Sequence, residues 1–242
     1  TKIVYIAAKG VQESLPKLLH FSSLPNIVLV HEDDRAGSIR TIMTTVTKLC
    51  SPNIFGLEKY LNVGIDVKEL KIEKSSERKM LSEQMVAHLS GLGVRRSVLD
   101  SVAQVLEELL MNAIYDAPTD VQGLPVYNKL PRTTPVNLKP AEQGLLRFAT
   151  DGTLLAVSVQ DPFGSLTASI ILKYLDSCYG GREGTMQSDK GGAGRGLHQI
   201  IESSTFVVFN VQPKKQTEVI AFFDVVPGKK EASEPMLHYF VQ

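Results

Sequence analysis

The segment from Ser101 to Ala117, SVAQVLEELLMNAIYDA, is the sequence feature that most constrains the fold of this chain. Its apolar residues recur at three- and four-residue steps, which predicts an amphipathic helix with one face in a core. The members of that apolar stripe are Val102, Val105, Leu106, Leu109, Leu110, Ala113 and Ile114. Glu108, Asn112 and Asp116 follow at four-residue intervals, so an α-helix stacks them along one edge of the stripe.

This polar edge permits two interpretations. Two carboxylates and an amide beside a core face are costly to bury unless something binds them. The edge is therefore either part of a binding site or the solvated border of an ordinary core helix, and the helix alone does not decide between them.

The composition argues against several classes of protein. The chain has 242 residues, of which 43% are hydrophobic, so it can form one large domain or two small ones. The formal net charge is zero, which gives no support for a nucleic-acid or anionic-membrane partner. Cys50 and Cys178 are far apart and lack metal-ligand spacing, which favours a reduced, cytoplasmic protein. No uncharged apolar run reaches membrane-spanning length.

Residues 1–62 predict a small β-α-β-α unit. Strand candidates at 2–8 and 27–30 alternate with helix candidates at 12–21 and 34–49, which favours a parallel strand pair with a crossover helix. The second helix is predicted to face inward through Ile39, Ile42, Met43 and Val46. The unit resembles a truncated receiver domain, which implies a receiver-like or docking role.

Residues 63–228 predict a larger α+β domain, and residues 229–242 a C-terminal tail. Asp151-Gly152 lies between two alternating apolar runs, which is a strong β-hairpin signal. The segment 118–144 is polar and rich in proline, which predicts a long loop.

Three motifs follow one another within the larger domain. Glu108-x-x-x-Asn112 lies on the predicted helix, and Asp161-x-x-Gly164 lies at the end of a predicted strand. The third motif, Gly192-Ala193-Gly194-Arg195-Gly196-Leu197, opens another predicted helix. A lone glycine triplet is a weak signal, but three ordered motifs on suitable elements form a specific pattern.

This pattern resembles the nucleotide-binding boxes of the GHKL superfamily, which includes gyrase, the heat-shock chaperone ATPase, histidine kinases and MutL. The resemblance covers roughly residues 67–226, and the layout is most similar to the compact anti-sigma-factor serine kinases. It implies a two-layer α/β sandwich with a mixed sheet under helices. It also implies ATP and Mg²⁺ as the cofactors.

The resemblance assigns the glycine motif to the phosphates. Gly192, Gly194 and Gly196 would let backbone amides approach phosphate oxygens, and the helix from Leu197 would add its N-terminal donors. Arg195 departs from the small or apolar residue common there, and it either points outward or reaches a phosphate.

The other two motifs would hold the metal and the base. Asn112 would supply an oxygen to Mg²⁺, and Asp116 on the same edge is included among the nucleotide-binding residues. Asp161 would accept the adenine amino hydrogen and so select adenine over guanine. Gly164 would leave room for the base, and Thr217 would help to hold Asp161.

Glu108 is the residue that best distinguishes between the classes of the GHKL superfamily. Histidine kinases usually have Asn at the matching position, whereas the ATPases and anti-sigma serine kinases have Glu as a general base. Its neighbour Glu107 is expected to be solvated.

The sequence therefore predicts an ATP-dependent signalling protein that phosphorylates a protein partner. The alternatives are a nucleotide-gated interaction module with little turnover and a histidine-kinase catalytic domain. The expected partners are ATP or ADP and a protein that is a substrate or a regulator. The sequence does not decide whether the chain forms a homodimer.

A lid over the nucleotide is expected at residues 165–190. Few apolar groups occur between Ser177 and Gly191, so this part is predicted to be mobile without nucleotide and to close when phosphates bind. Lys190 and Arg182 are candidate phosphate contacts within it.

Overall fold

A computed structural model describes residues 2–20, 25–30, 32–179, 193–226 and 236–242. They form an α+β fold with one mixed eight-stranded sheet, as the sequence predicts for the class. The strands are β1 (Tyr5–Ala7), β2 (Asn26–Leu29), β3 (Lys68–Ile72), β4 (Gly144–Thr150), β5 (Leu154–Asp161), β6 (Phe206–Gln212), β7 (Gln216–Asp224) and β8 (Met236–Val241). The α-helices are α1 (Val11–His20), α2 (Arg35–Cys50), α3 (Arg78–Gly91), α4 (Arg96–Met111), α5 (Ala168–Tyr179) and α6 (Ala193–Glu202). Within the described residues, no helix is both long and apolar enough to cross a membrane.

The sheet runs in the order β1-β2-β8-β6-β7-β5-β4-β3. The first four elements come in the predicted order β1, α1, β2 and α2, and β1 pairs in parallel with β2 across the crossover helix α1. The predicted hairpin at Asp151-Gly152 is confirmed by the antiparallel pairing of β4 with β5. Gly152 has a φ of +85° in that turn, which favours glycine over other residues.

One sheet crosses the predicted unit boundaries. β8 comes from the segment predicted as a tail, residues 229–242, and it lies between β2 of the predicted unit 1–62 and β6 of the predicted domain 63–228. It pairs antiparallel with β2 and parallel with β6. The three segments therefore share one hydrogen-bonded sheet, while the division into domains stays a prediction.

Apolar residues cover both faces of the sheet. The larger core packs α1, α3, α4, α5 and α6 against one face. A smaller core on the other face holds Val208, Ile220 and Phe222 together with Ile54 and Leu57 from the segment after α2.

The predicted inner face of α2 is wrong. Ile39, Ile42, Met43 and Val46 are 54%, 37%, 60% and 51% exposed. The helix instead buries Thr45 and Lys48. The Lys48 ammonium donates to Asn210 Oδ1 at 2.7 Å and to the Tyr60 hydroxyl at 3.0 Å, so polar contacts orient this helix.

The long predicted helix is confirmed in its core face but not in its last turn. Every member of the apolar stripe is buried. α4 ends at Met111, however, and Asn112–Asp116 form a π-helical turn that the Ala117 amide closes on the Asn112 carbonyl at 2.8 Å. The wider turn shifts Asp116 off the straight α-helical edge that the sequence predicts.

Candidate functional site

The first and third motifs meet in the structure. Glu108, on α4, places its Oε2 atom 2.2 Å from the position that a Cβ on Gly196 would occupy. Gly196 lies in the early part of α6 and is buried. Glycine at this position is therefore what allows the Glu108 carboxylate to lie against the beginning of α6.

Glu108 is half-buried and chemically suited to accept a proton. Burial is the largest cause that raises the pKa of its carboxyl group, and the neighbouring charges of Glu107 and Asp116 add to it. Arg132 opposes them by favouring the ionised form. A raised pKa makes the carboxylate a stronger base, which general-base catalysis near neutral pH requires.

Glu107 is not simply solvated as predicted. Its Oε1 accepts a hydrogen bond from Arg78 Nε at 3.0 Å, and its side chain is 46% exposed. This surface ion pair joins α4 to the start of α3, whereas Glu108 has no ion pair among the described residues.

Asn112, for which the sequence predicts a role in metal binding, is the first residue of the π-helical turn. Its side chain is partly buried, and its carboxamide has no hydrogen bond among the described residues. No group of three or more His, Cys, Asp or Glu is placed for a metal ion in the described part of the chain. Mg²⁺ needs only one or two protein oxygens when phosphates supply the rest, so a free amide oxygen fits that group.

Asp116 has a protein partner that the sequence analysis missed. Arg132 Nη2 donates to both of its carboxylate oxygens, at 2.7 and 2.8 Å. Burial raises the pKa of Asp116, and this hydrogen bond opposes the effect. The contact joins residues 16 positions apart across the proline-rich loop, so no local spacing could have indicated it.

Asp161 is a partly buried carboxyl group at the end of β5. Burial raises its pKa to about 7, although the Phe163 and Gly164 amides and Thr217 favour the ionised form. The Phe163 amide donates to Oδ1 at 3.0 Å. Among the described residues, Asp161 thus bonds within its own turn and to β7 and not to the other two motifs.

Thr217 lies directly across the ladder from Asp161 in β7, as its predicted supporting role requires. Its hydroxyl is buried and lies close enough to influence the carboxyl group, yet it has no hydrogen-bond partner of good geometry in the described chain. A buried unpaired hydroxyl is costly, and water or a ligand could satisfy it.

Gly164 has a structural explanation beside its predicted role at the base. Its φ is +61°, and an added Cβ would lie 2.1 Å from the Gln212 carbonyl oxygen. Its own carbonyl accepts from the Lys214 amide at 3.3 Å. The β6–β7 turn therefore requires glycine here whether or not a ligand binds.

A depression of about 280 Å³ borders Asp161 between the ends of β3, β4, β5 and β7. Its described lining includes Lys71, Gln160 and Lys215 but no residue of the first or third motif. As far as its described lining goes, this depression does not join the three motifs. Ser165 makes the closer link, because its hydroxyl donates to the Ala117 carbonyl at 3.4 Å, beside the π-helical turn.

The third motif is more helical than predicted. α6 begins at Ala193, four residues before the predicted start at Leu197, so Gly194 and Gly196 lie within its first turns. Leu197 is 6% exposed in the main core, which leaves its backbone rather than its side chain for a ligand. Gly192 and Lys190 lie outside the described residues, as does the side chain of Arg195.

The predicted lid is only partly described. Residues 168–179 belong to α5, which buries Ala168, Ile171, Leu172 and Leu175 in the main core. The first part of the expected lid is therefore a packed helix, because its apolar face has a core to enter. Residues 180–191, with Arg182 and Lys190, lie outside the described chain.

No protein-family model matches the chain, and no curated protein matches it. The roles assigned to the site residues therefore rest on the sequence motifs and on the contacts described above.

Proposed function

We propose that this chain binds ATP with Mg²⁺ and acts as a signalling protein that transfers phosphate to a serine or threonine of a protein partner. The observation that carries the proposal is the packing of Glu108 against Gly196, because it joins two motifs far apart in sequence. Amides in the first turn of a helix favour phosphate, and a half-buried carboxylate beside them is placed to act as a base. We propose also that the α+β fold is a two-layer sandwich of the GHKL type.

Nucleotide binding is tested by calorimetry with ATP and GTP, with Mg²⁺ present and then chelated. We expect micromolar-class ATP affinity, much weaker GTP affinity and a Mg²⁺ dependence that Asn112→Ala reduces. Asp161→Asn should remove the adenine preference or binding altogether, whereas Asp100→Asn, at an exposed site on α4, should change neither. Equal affinity for GTP in the wild type would contradict the adenine assignment.

Phosphoryl transfer is tested with labelled ATP and cell extract. Label on a protein serine or threonine supports the kinase, and Glu108→Gln should then lower the rate by about 10² to 10⁴ while nucleotide binding persists. Glu107→Gln is the matched control because that side chain pairs with Arg78. A fully active Glu108→Gln variant would show that Glu108 is not the base.

A nucleotide-gated interaction module is the second candidate. The exposed stripe of Ile39, Ile42, Met43 and Val46 on α2 favours it, because apolar side chains grouped on a helix face are typical of protein contacts. In that case the chain binds ATP but transfers no label, and nucleotide changes its affinity for a partner. A histidine-kinase domain is disfavoured by Glu108.

A further inference from the structure

Arg132 lies in the proline-rich loop and reaches the end of α4. One terminal nitrogen, Nη2, makes both hydrogen bonds to Asp116. The other, Nη1, is buried and has no hydrogen-bond partner in the described part of the chain. A buried charged donor without an acceptor is more costly to the folded protein than a neutral donor left in the same way. Among the described residues, Nη2 of Arg132 is therefore used by Asp116, whereas Nη1 is left without an acceptor.

The position of Arg132 is fixed from several sides. Its Cζ lies 5.0 Å from the centre of the Tyr115 ring. The Tyr115 hydroxyl lies 3.0 Å from the Arg132 carbonyl and 2.8 Å from the Thr134 carbonyl, which ties the loop to the π-helical turn. The side chain is 23% exposed, so it borders solvent while its backbone is anchored.

Arg132 lies where an anionic ligand would otherwise meet repulsion. It contacts Asp116 directly and is near enough to Glu108 to stabilise that carboxylate. A phosphate entering beside these two negative charges needs a cation, and a planar guanidinium can donate two parallel hydrogen bonds to an oxyanion.

We propose that Arg132 is a ligand-binding residue whose guanidinium moves from Asp116 to the bound ligand and there donates Nη1 and Nη2 to an oxyanion. This rests on the proposed function, in which the oxyanion is a nucleotide phosphate. Asp116 then holds the guanidinium ready and competes with the ligand for it, and the proline-rich loop becomes one wall of the site.

The opposite signs of two variants test this inference in the full chain. Calorimetry with ATP, adenosine and inorganic tripolyphosphate should show Arg132→Gln weakening ATP and tripolyphosphate binding about 10- to 100-fold, as loss of a charged hydrogen bond implies, with adenosine unchanged. Asp116→Asn should raise ATP affinity, because in this proposal Asp116 competes with the ligand for the guanidinium and does not itself contact the phosphate. A purely structural ion pair would make both variants lose affinity together, and that result overturns the inference.

Arg78→Gln is the matched control, since Arg78 also contacts Tyr115 but pairs with Glu107. It should leave ATP affinity within about twofold. If Arg132→Gln does not fold, Arg132→Lys is the second variant, because it keeps the charge but not the two parallel donors. It should show a smaller loss of ATP and tripolyphosphate affinity, and full wild-type affinity there overturns the inference.

A wild type that binds neither ATP nor adenosine contradicts the proposed function. Tripolyphosphate then decides for Arg132 alone: Arg132-dependent binding upholds the inference, and absent binding overturns it.

Discussion

Asp161 couples the stability of this protein to pH at the scale of one residue. Its pKa is about 7 in the folded chain against an ordinary value of 3.8. Between these two values the folded state retains a proton that the unfolded chain releases. The free energy of unfolding therefore falls as pH rises from about 4 to 7 and changes no further above that.

We expect Asp161→Asn to remove this dependence. The gap between the two pKa values corresponds to at most about 4 kcal/mol, so the variant should gain stability relative to wild type by up to that amount between pH 4 and 7. Urea unfolding across this pH range measures the difference, and the exposed Asp100→Asn is the control that should keep the pH dependence of the wild type. Parallel pH curves for wild type and Asp161→Asn would show that the carboxyl group is ionised normally.

Gly164, in the loop after β5, and Gly196, in the first turns of α6, differ in what surrounds them. A Cβ on Gly196 would meet the end of the flexible Glu108 side chain, which can rotate away. A Cβ on Gly164 would meet the backbone of the β6–β7 turn, and its φ of +61° is strained for other residues. The same substitution therefore has different consequences at the two positions.

We expect Gly164→Ala to cost about 2–5 kcal/mol from left-handed strain and overpacking. Gly196→Ala should change the free energy of unfolding by less than about 1 kcal/mol, because the gain in helix propensity offsets the displacement of Glu108. It should nevertheless lower any phosphoryl transfer in the way that Glu108→Gln does. Denaturant unfolding and the labelled-ATP assay measure both effects. Gly91→Ala, at an open position in α3, is the control, and equal stability losses at 164 and 196 would contradict this account.

At the scale of the whole molecule, a series of buried polar contacts joins α2 to the middle of the sheet. Lys48 bonds to Asn210 on β6, and Asn210 Nδ2 donates to Glu218 Oε2 on β7 at 2.8 Å. The Lys48 ammonium also lies 3.9 Å from the centre of the Phe240 ring on β8. Strand pairing and side-chain contacts therefore tie the N-terminal unit to the rest of the protein through β8.

We expect Phe240→Ala to destabilise the whole sheet by about 3–5 kcal/mol, because the side chain is fully buried. Hydrogen exchange should show β2 and β5 losing protection together. Met43→Ala, on the exposed side of α2, should alter protection little. Loss of protection confined to β1 and β2 would instead indicate that residues 1–62 unfold as a separate domain.

Local patterns alone determined several parts of this protein. The apolar stripe of α4, the Asp151-Gly152 hairpin and the β-α-β-α start follow from residues close in sequence, whose periodicity and turn preferences act within a few positions. The motifs also singled out Glu108 and Gly196, which the structure brings together.

The tertiary structure decided what depends on distant partners. The inward face of α2 follows from the contact between Lys48 and Asn210, 162 positions apart, and not from its apolar stripe. The place of β8 between β2 and β6 needs strands from both ends of the chain. Arg132 lies beside Asp116 because the proline-rich loop folds back onto the end of α4. Each outcome depends on burial and charge contributed by residues remote in sequence, which no local pattern encodes.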